Sequence, residues 1–120
     1  MPPDRLLRIA VGYHLLVGLV FAIFPVDALA SLALDPPRYW VLWYAACSGP
    51  LVMAGLLHLA RRRPDLRAGL VAAVAIWNLT AMAVGIFFVV WSELPGVLYG
   101  PAVAAGLWAW LLWGLYSEDA

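Results

Sequence analysis

The run AGLVAAVAIWNLTAMAVGIFFVVW, from Ala68 to Trp91, contains no charged side chain. An α-helix rises about 1.5 Å per residue, so roughly 20 residues cross the ~30 Å hydrocarbon core of a bilayer. A strand of a membrane β-barrel would instead alternate apolar and polar residues over about 10 positions. This run is apolar on every side, and it therefore predicts a membrane-spanning α-helix.

Three further apolar runs have similar lengths, so four spans are expected at about residues 6–24, 39–60, 68–91 and 95–116. Of the 120 residues, 66% are apolar and 12% are charged, whereas a soluble domain is about half apolar and about a quarter charged. A soluble domain of this size could not bury so much apolar surface. The sequence predicts an all-α membrane protein, a four-transmembrane-helix bundle that forms a single domain over residues 1–120.

Arginine is the only basic residue besides histidine, and its distribution predicts the orientation in the membrane. Six arginines precede the first span or lie between the second and third, and only one lies on the opposite side: Arg5, Arg8, Arg61, Arg62, Arg63 and Arg67 against Arg38. By the positive-inside rule, both termini are expected in the cytoplasm. We expect a multi-pass protein of the bacterial inner (cytoplasmic) membrane. Because the formal net charge is zero, no nucleic-acid partner is expected.

The segment between the first two spans allows two interpretations. Residues 26–34, VDALASLAL, place apolar side chains on one helical face, which predicts a short helix in the membrane interface. The alternative is a continuation of the first span. Ala28-Leu29-Ala30 before Ser31 also resembles a signal-peptide cleavage site. Cleavage there would leave three spans, and we expect the first span to be retained.

Two similar heptapeptides, GPLVMAG (49–55) and GPAVAAG (100–106), place a proline inside apolar runs. Proline frees a backbone carbonyl one turn earlier, and nearby glycines allow a second helix to approach closely. The sequence favours close packing between the second and fourth spans. The alternative is a kink that opens a small cavity. The two halves of the chain could be parallel repeats, although similarity by chance is equally open.

The polar residues within the spans are the candidates for a functional site. His14, Ser48 and Asn78 are predicted near the middle of the membrane, together with Trp108. They could hold the helices together by hydrogen bonds, or they could face a small apolar ligand such as a quinone or a lipid. No Asp, Glu or Lys lies clearly within a span, which argues against a proton-coupled carrier and against a Schiff-base lysine.

Two histidines in a four-helix bundle raise haem as a further cofactor candidate, with His14 and His58 as axial ligands. Their predicted depths differ by about 4–5 Å, and His58 is more simply a residue near the lipid headgroups. Otherwise no cofactor or metal is expected, because Cys47 is the single cysteine and no Cys/His metal spacing occurs. Nucleophile elbows, P-loops and dinucleotide-binding motifs are absent as well.

The stretch RLLRIAVGYHLLVGLVFAIFP (5–25), followed by a proline-bearing loop and Leu42-Trp43, resembles small bacterial four-span proteins of the DoxX-like kind. The resemblance rests on hydropathy, glycine spacing and Phe24-Pro25. It implies a four-helix membrane protein, and some members of that group are small membrane subunits of quinone-linked or thiol-linked oxidoreductases. It assigns no functional residue to this chain.

The sequence favours a non-enzymatic membrane protein that acts as an accessory or scaffolding subunit, or as a partner in a small oligomer. Its expected partners are the lipid bilayer and other membrane subunits or further copies of itself. The first alternative is a binder or carrier of a quinone or lipid at His14, Ser48, Asn78 and Trp108. The second is a membrane redox subunit that holds haem at His14 and His58.

Overall fold

A computed structural model describes residues 2–24, 40–91 and 99–119. These residues form four α-helices, and no strand occurs among them: α1 Pro3–Ile23, α2 Trp40–Arg62, α3 Arg67–Trp91 and α4 Tyr99–Asp119. The four helices fall on the four predicted apolar runs, and the all-α class is confirmed. The predicted interfacial helix over residues 26–34 and the motif Ala28-Leu29-Ala30 lie outside the described residues.

Two stretches in the described part of the chain are long and apolar enough to cross a membrane, Pro3–Ile23 and Arg67–Phe87. The hydropathy of these residues does not support four spans. In α4 the reason is composition, because that helix contains three tryptophans and three glycines, and a hydropathy index scores both residue types as nearly neutral. Tryptophan has an apolar ring body with one polar N–H, so its low score hides a large apolar surface.

Each helix extends past one end of the apolar run that predicted it, at Pro3, Arg62, Arg67 and Asp119, because polar residues can continue a helix outside the hydrocarbon layer. Pro3 stands at the start of α1 with Asp4 in its first turn, and both residue types favour a helix N-terminus. The helix ends at Ile23, where the Phe24 N–H donates to the Val20 carbonyl at 2.9 Å. The following residue is Pro25, which cannot donate to a continuing helix.

The two prolines of the heptapeptides occupy different positions in their helices. Pro50 lies inside α2 and is buried, so the carbonyl one turn earlier loses its usual donor. Pro101 is exposed and lies two residues after Tyr99, where α4 begins. A proline close to a helix start removes few hydrogen bonds, so Pro101 disturbs α4 less than Pro50 disturbs α2.

The chain divides into two compact units, Met1–His58 and Leu59–Ala120. The first unit contains α1 and most of α2, and Gly18 is the point of their close approach. A Cβ atom added to Gly18 would lie 2.6 Å from Cγ of Leu51 and 3.1 Å from the carbonyl oxygen of Cys47. Any larger residue at this position would require Leu51 or the α2 backbone to move. Small residues allow membrane helices to pack closely in this way.

The second unit is built around the pair α3 and α4, which run antiparallel. A Cβ atom added to Gly85 would lie 3.1 Å from Cβ of Ala102, and one added to Gly106 would lie 2.5 Å from Sδ of Met82. From Gly85 to Met82 the chain position decreases along α3, whereas from Ala102 to Gly106 it increases along α4. The two helices are therefore antiparallel. Small residues again form the contact. The predicted packing of GPLVMAG against GPAVAAG would join the two units and stays a prediction.

Candidate functional site

His14 is one of the two buried polar side chains in the described core, with 2% of its surface exposed. Its Nδ1 lies 2.7 Å from the Ala10 carbonyl oxygen, and a carbonyl can only accept. Nδ1 therefore carries the proton, and Nε2 keeps the lone pair with which an imidazole accepts a hydrogen bond or binds a metal. The ring of Tyr13 packs edge-on against it, with centroids 5.4 Å apart.

Ser48 belongs to the same unit as His14 and is half-buried. It lies between Cys47 and Leu51, the two α2 residues that contact Gly18. His14 is four residues before Gly18, so the two share one face of α1, one turn apart. His14 therefore lies about one turn from the contact between α1 and α2. Cys47, the residue before Ser48, takes part in that contact. A polar layer that contains both His14 and Ser48 stays a prediction.

Asn78 is the second buried polar side chain, also 2% exposed. Its Nδ2 donates to the Val74 carbonyl at 3.0 Å. The nearby Thr80 makes the same type of bond, from Oγ1 to the Ile76 carbonyl at 2.9 Å, but it lies on the exposed face of α3. Asn78 and Thr80 thus make equivalent bonds to their own helix on opposite sides, one inward and one outward.

Trp108 is buried on α4, and the helix register relates it to Asn78. Gly106 lies opposite Met82, and Asn78 is one turn before Met82 on the same face. The level of Asn78 on α4 is one turn beyond Gly106, at Ala109 and Trp110, and Trp108 lies one or two residues before these. The second unit therefore places Asn78 and Trp108 at similar levels along the α3–α4 pair. A layer that combines them with His14 and Ser48 would join the two units and stays a prediction.

His58, the second histidine proposed for haem, is exposed. His14 is buried, and its Nδ1 hydrogen bond to a backbone carbonyl is the arrangement that commonly orients a metal-binding imidazole. The two rings thus occupy different environments, one inside the fold and one on its surface. Among the described residues, no group of three or more His, Cys, Asp or Glu side chains is close enough to hold a metal ion.

The end of α2, the turn after it and the first residue of α3 (Arg61–Arg67) hold five of the eight charged side chains in the second unit. Nε and Nη2 of Arg63 donate to the two carboxylate oxygens of Asp65 at 2.9 and 2.7 Å. This pair lowers the pKa of Asp65 and raises that of Arg63. Nε of Arg67 donates to the Ala60 carbonyl at 3.3 Å, so Arg67 closes the turn by capping the end of α2.

Comparison with known proteins adds no functional assignment to these residues. No family model, no curated protein and no solved structure matches this chain. The ligand roles of His14, Ser48, Asn78 and Trp108 therefore remain predictions from the sequence. The geometry adds the tautomer of His14 and the shared level of Asn78 and Trp108.

Proposed function

We propose that this chain is a non-enzymatic membrane protein that crosses the bacterial inner membrane four times, with both termini in the cytoplasm. In this role it acts as an accessory or scaffolding subunit, or as a partner in a small oligomer. The DoxX-like resemblance points to the same kind of small membrane subunit.

The observation that carries the membrane placement is the large amount of apolar surface that the helices expose. Large apolar side chains are exposed on every helix, as Leu16, Val52, Leu79 and Trp110 illustrate. The buried polar side chains are His14 and Asn78. A protein in water would expose the polar side chains and bury the large apolar ones, whereas a bilayer solvates apolar surfaces. The arginine distribution then supports cytoplasmic termini.

The scaffolding role is supported by the way in which the polar side chains are bonded. His14, Asn78 and Thr80 each bond a carbonyl one turn earlier on their own helix. Within the described residues, no buried side-chain nitrogen or oxygen lacks a hydrogen-bond partner. Such bonds satisfy polar groups within the hydrocarbon layer. These hydrogen bonds leave the polar side chains without an evident chemical role. The exposed aromatic side chains of α4 suit contacts with helices of another subunit, and both features favour a scaffolding role.

The subunit role predicts that this protein leaves the native membrane with a partner. We expect extraction with a lipid-retaining copolymer, followed by affinity purification, to yield either a stoichiometric second protein or several copies of this chain. The readouts are native mass spectrometry and light scattering. A lone monomer, both in the copolymer discs and in a mild detergent, would contradict the proposal.

A second candidate function, binding of a quinone or lipid, is favoured by one specific observation. His14 places an imidazole in a buried setting and orients it by the Nδ1–H bond to Ala10, and an imidazole can form hydrogen bonds with the hydroxyl or carbonyl groups of such a ligand. In the second unit, Asn78 and Trp108 combine an amide with a flat apolar ring at one level. Small-molecule sites have this composition, mostly apolar with a few polar groups.

Replacing His14 or Asn78 with leucine tests the binding function. If these residues hold a ligand, either replacement should remove it from the purified protein, as measured by mass spectrometry of organic extracts. Thr80→Val is the matched control, because Thr80 makes the same bond but lies on the exposed face. If the residues only satisfy their own polar groups inside the fold, the ligand content should stay unchanged, and only the stability of the protein should change.

A further inference from the structure

The basic turn, residues Arg61–Arg67, is the most strongly charged part of the described chain. It holds four arginines and one aspartate, which leaves three positive charges in excess. Topology alone would require positive charge here but no particular arrangement of it. The structure, however, gives the cations distinct roles.

Arg67 is held in place across the turn. Its Nε donates to Ala60, seven residues earlier, and this fixes the guanidinium next to the end of α2. A guanidinium has five N–H donors, so the four on the two Nη atoms are not used by this bond. A guanidinium held in one orientation can donate parallel hydrogen bonds to two oxygens of a phosphate.

Arg63 is neutralised and Arg62 is not. Asp65 occupies Arg63 with two hydrogen bonds, so Asp65 competes with any external anion for that side chain. Arg62 is exposed, and the hydrogen bonds and ion pairs found in this turn among the described residues do not involve it. The turn therefore presents Arg62 and Arg67 as its available cations.

The depth of the turn points to the ligand. The apolar stretch of α3 starts directly at Arg67, which is the level at which a span meets the lipid headgroups. Leu66, beside it, exposes 43% of its surface. An exposed leucine next to arginines combines apolar insertion with attraction to anionic lipid.

We propose that the basic turn binds the phosphate of an anionic phospholipid, with Arg62 and Arg67 as donors and Leu66 inserted at the edge of the acyl chains. The inference rests on the proposed membrane placement. The excess positive charge selects an anionic headgroup over a zwitterionic one, because a choline group would place a second cation beside the arginines.

The test measures lipid binding by native mass spectrometry, with phosphatidylglycerol titrated against phosphatidylcholine on the full chain in detergent. We expect phosphatidylglycerol to be retained preferentially. Arg62→Gln and Arg67→Gln should each weaken its binding about fivefold, the effect of about 1 kcal/mol per arginine. Asp65→Asn should strengthen binding, because it releases Arg63.

Arg5→Gln is the matched control, because it removes the same charge on the same predicted side of the membrane but outside the turn. It should leave the affinity unchanged. Equal losses for Arg5→Gln and Arg62→Gln, or displacement of the lipid by inorganic phosphate, would overturn the proposal. Circular dichroism distinguishes misfolding of Arg67→Gln from lost binding. A chain stable in buffer without detergent would contradict the membrane placement instead.

Discussion

Replacing Leu79 with arginine should prevent stable membrane insertion of α3. Leu79 lies near the middle of that helix and exposes 51% of its surface. At the centre of a membrane helix, exchange of leucine for arginine costs about 3 kcal/mol. On the surface of a water-soluble protein, the same exchange would usually change stability by no more than about 0.5 kcal/mol. The expected result is loss of the variant from the membrane fraction that resists alkaline extraction.

Leu66→Arg is the matched control for this experiment. Leu66 is exposed to a similar degree, at 43%, but it lies in the turn before α3, where an arginine would reach water. We expect Leu66→Arg to remain in the membrane at the level of the unchanged protein. If Leu79→Arg instead accumulates as a folded, detergent-free species, the exposed face of α3 contacts water, and the four-span proposal fails.

The sequence predicted the helices well because length and apolarity report directly on the solvent. The third run, Ala68 to Trp91, returns almost unchanged as α3, Arg67–Trp91. The first run began at Leu6, but α1 begins at Pro3, since polar residues can continue a helix outside the hydrocarbon layer. Hydropathy supports two spans rather than four in the described residues, and the tryptophans and glycines of α4 reduce the score of that helix.

The glycine contacts were only partly predictable. The sequence pointed to the glycines of the two heptapeptides, and of these Gly106 makes a close contact, whereas Gly55 and Gly100 face open space. The tightest backbone contact belongs to Gly18, which no motif marks. A glycine spacing shows that one helix could be approached closely. Which glycine is used depends on the register of the partner helix, and one sequence does not contain that information.

The candidate site shows the same limit. Depth along a helix can be counted from the sequence, but the layer predicted from those depths stays a prediction. Rotation about the helix axis is harder to predict in an apolar run, because every face has a similar composition. Asn78 and Thr80 are two residues apart, and only the structure separates the inward one from the outward one.

Replacing Gly18 with alanine should separate α1 from α2. The added Cβ would lie 2.6 Å from Cγ of Leu51, a branch point that rotation of the side-chain end cannot move away, and 3.1 Å from the Cys47 carbonyl. Overpacking of this kind costs about 1–3 kcal/mol. The gain in helix propensity from glycine to alanine is at most about 1 kcal/mol, so the clash should dominate and the α1–α2 contact should weaken.

Cys47 provides the readout for this prediction, because it is the single cysteine, is buried and lies at the contact itself. Its reaction with a maleimide should require local opening of α1 from α2. Gly18→Ala should therefore accelerate labelling, by about fivefold to 150-fold for a loss of 1–3 kcal/mol. Gly12→Ala is the control on the same helix, because a Cβ atom there meets nothing within 4 Å. Equal labelling rates for the two variants would show that α1 and α2 do not meet at Gly18.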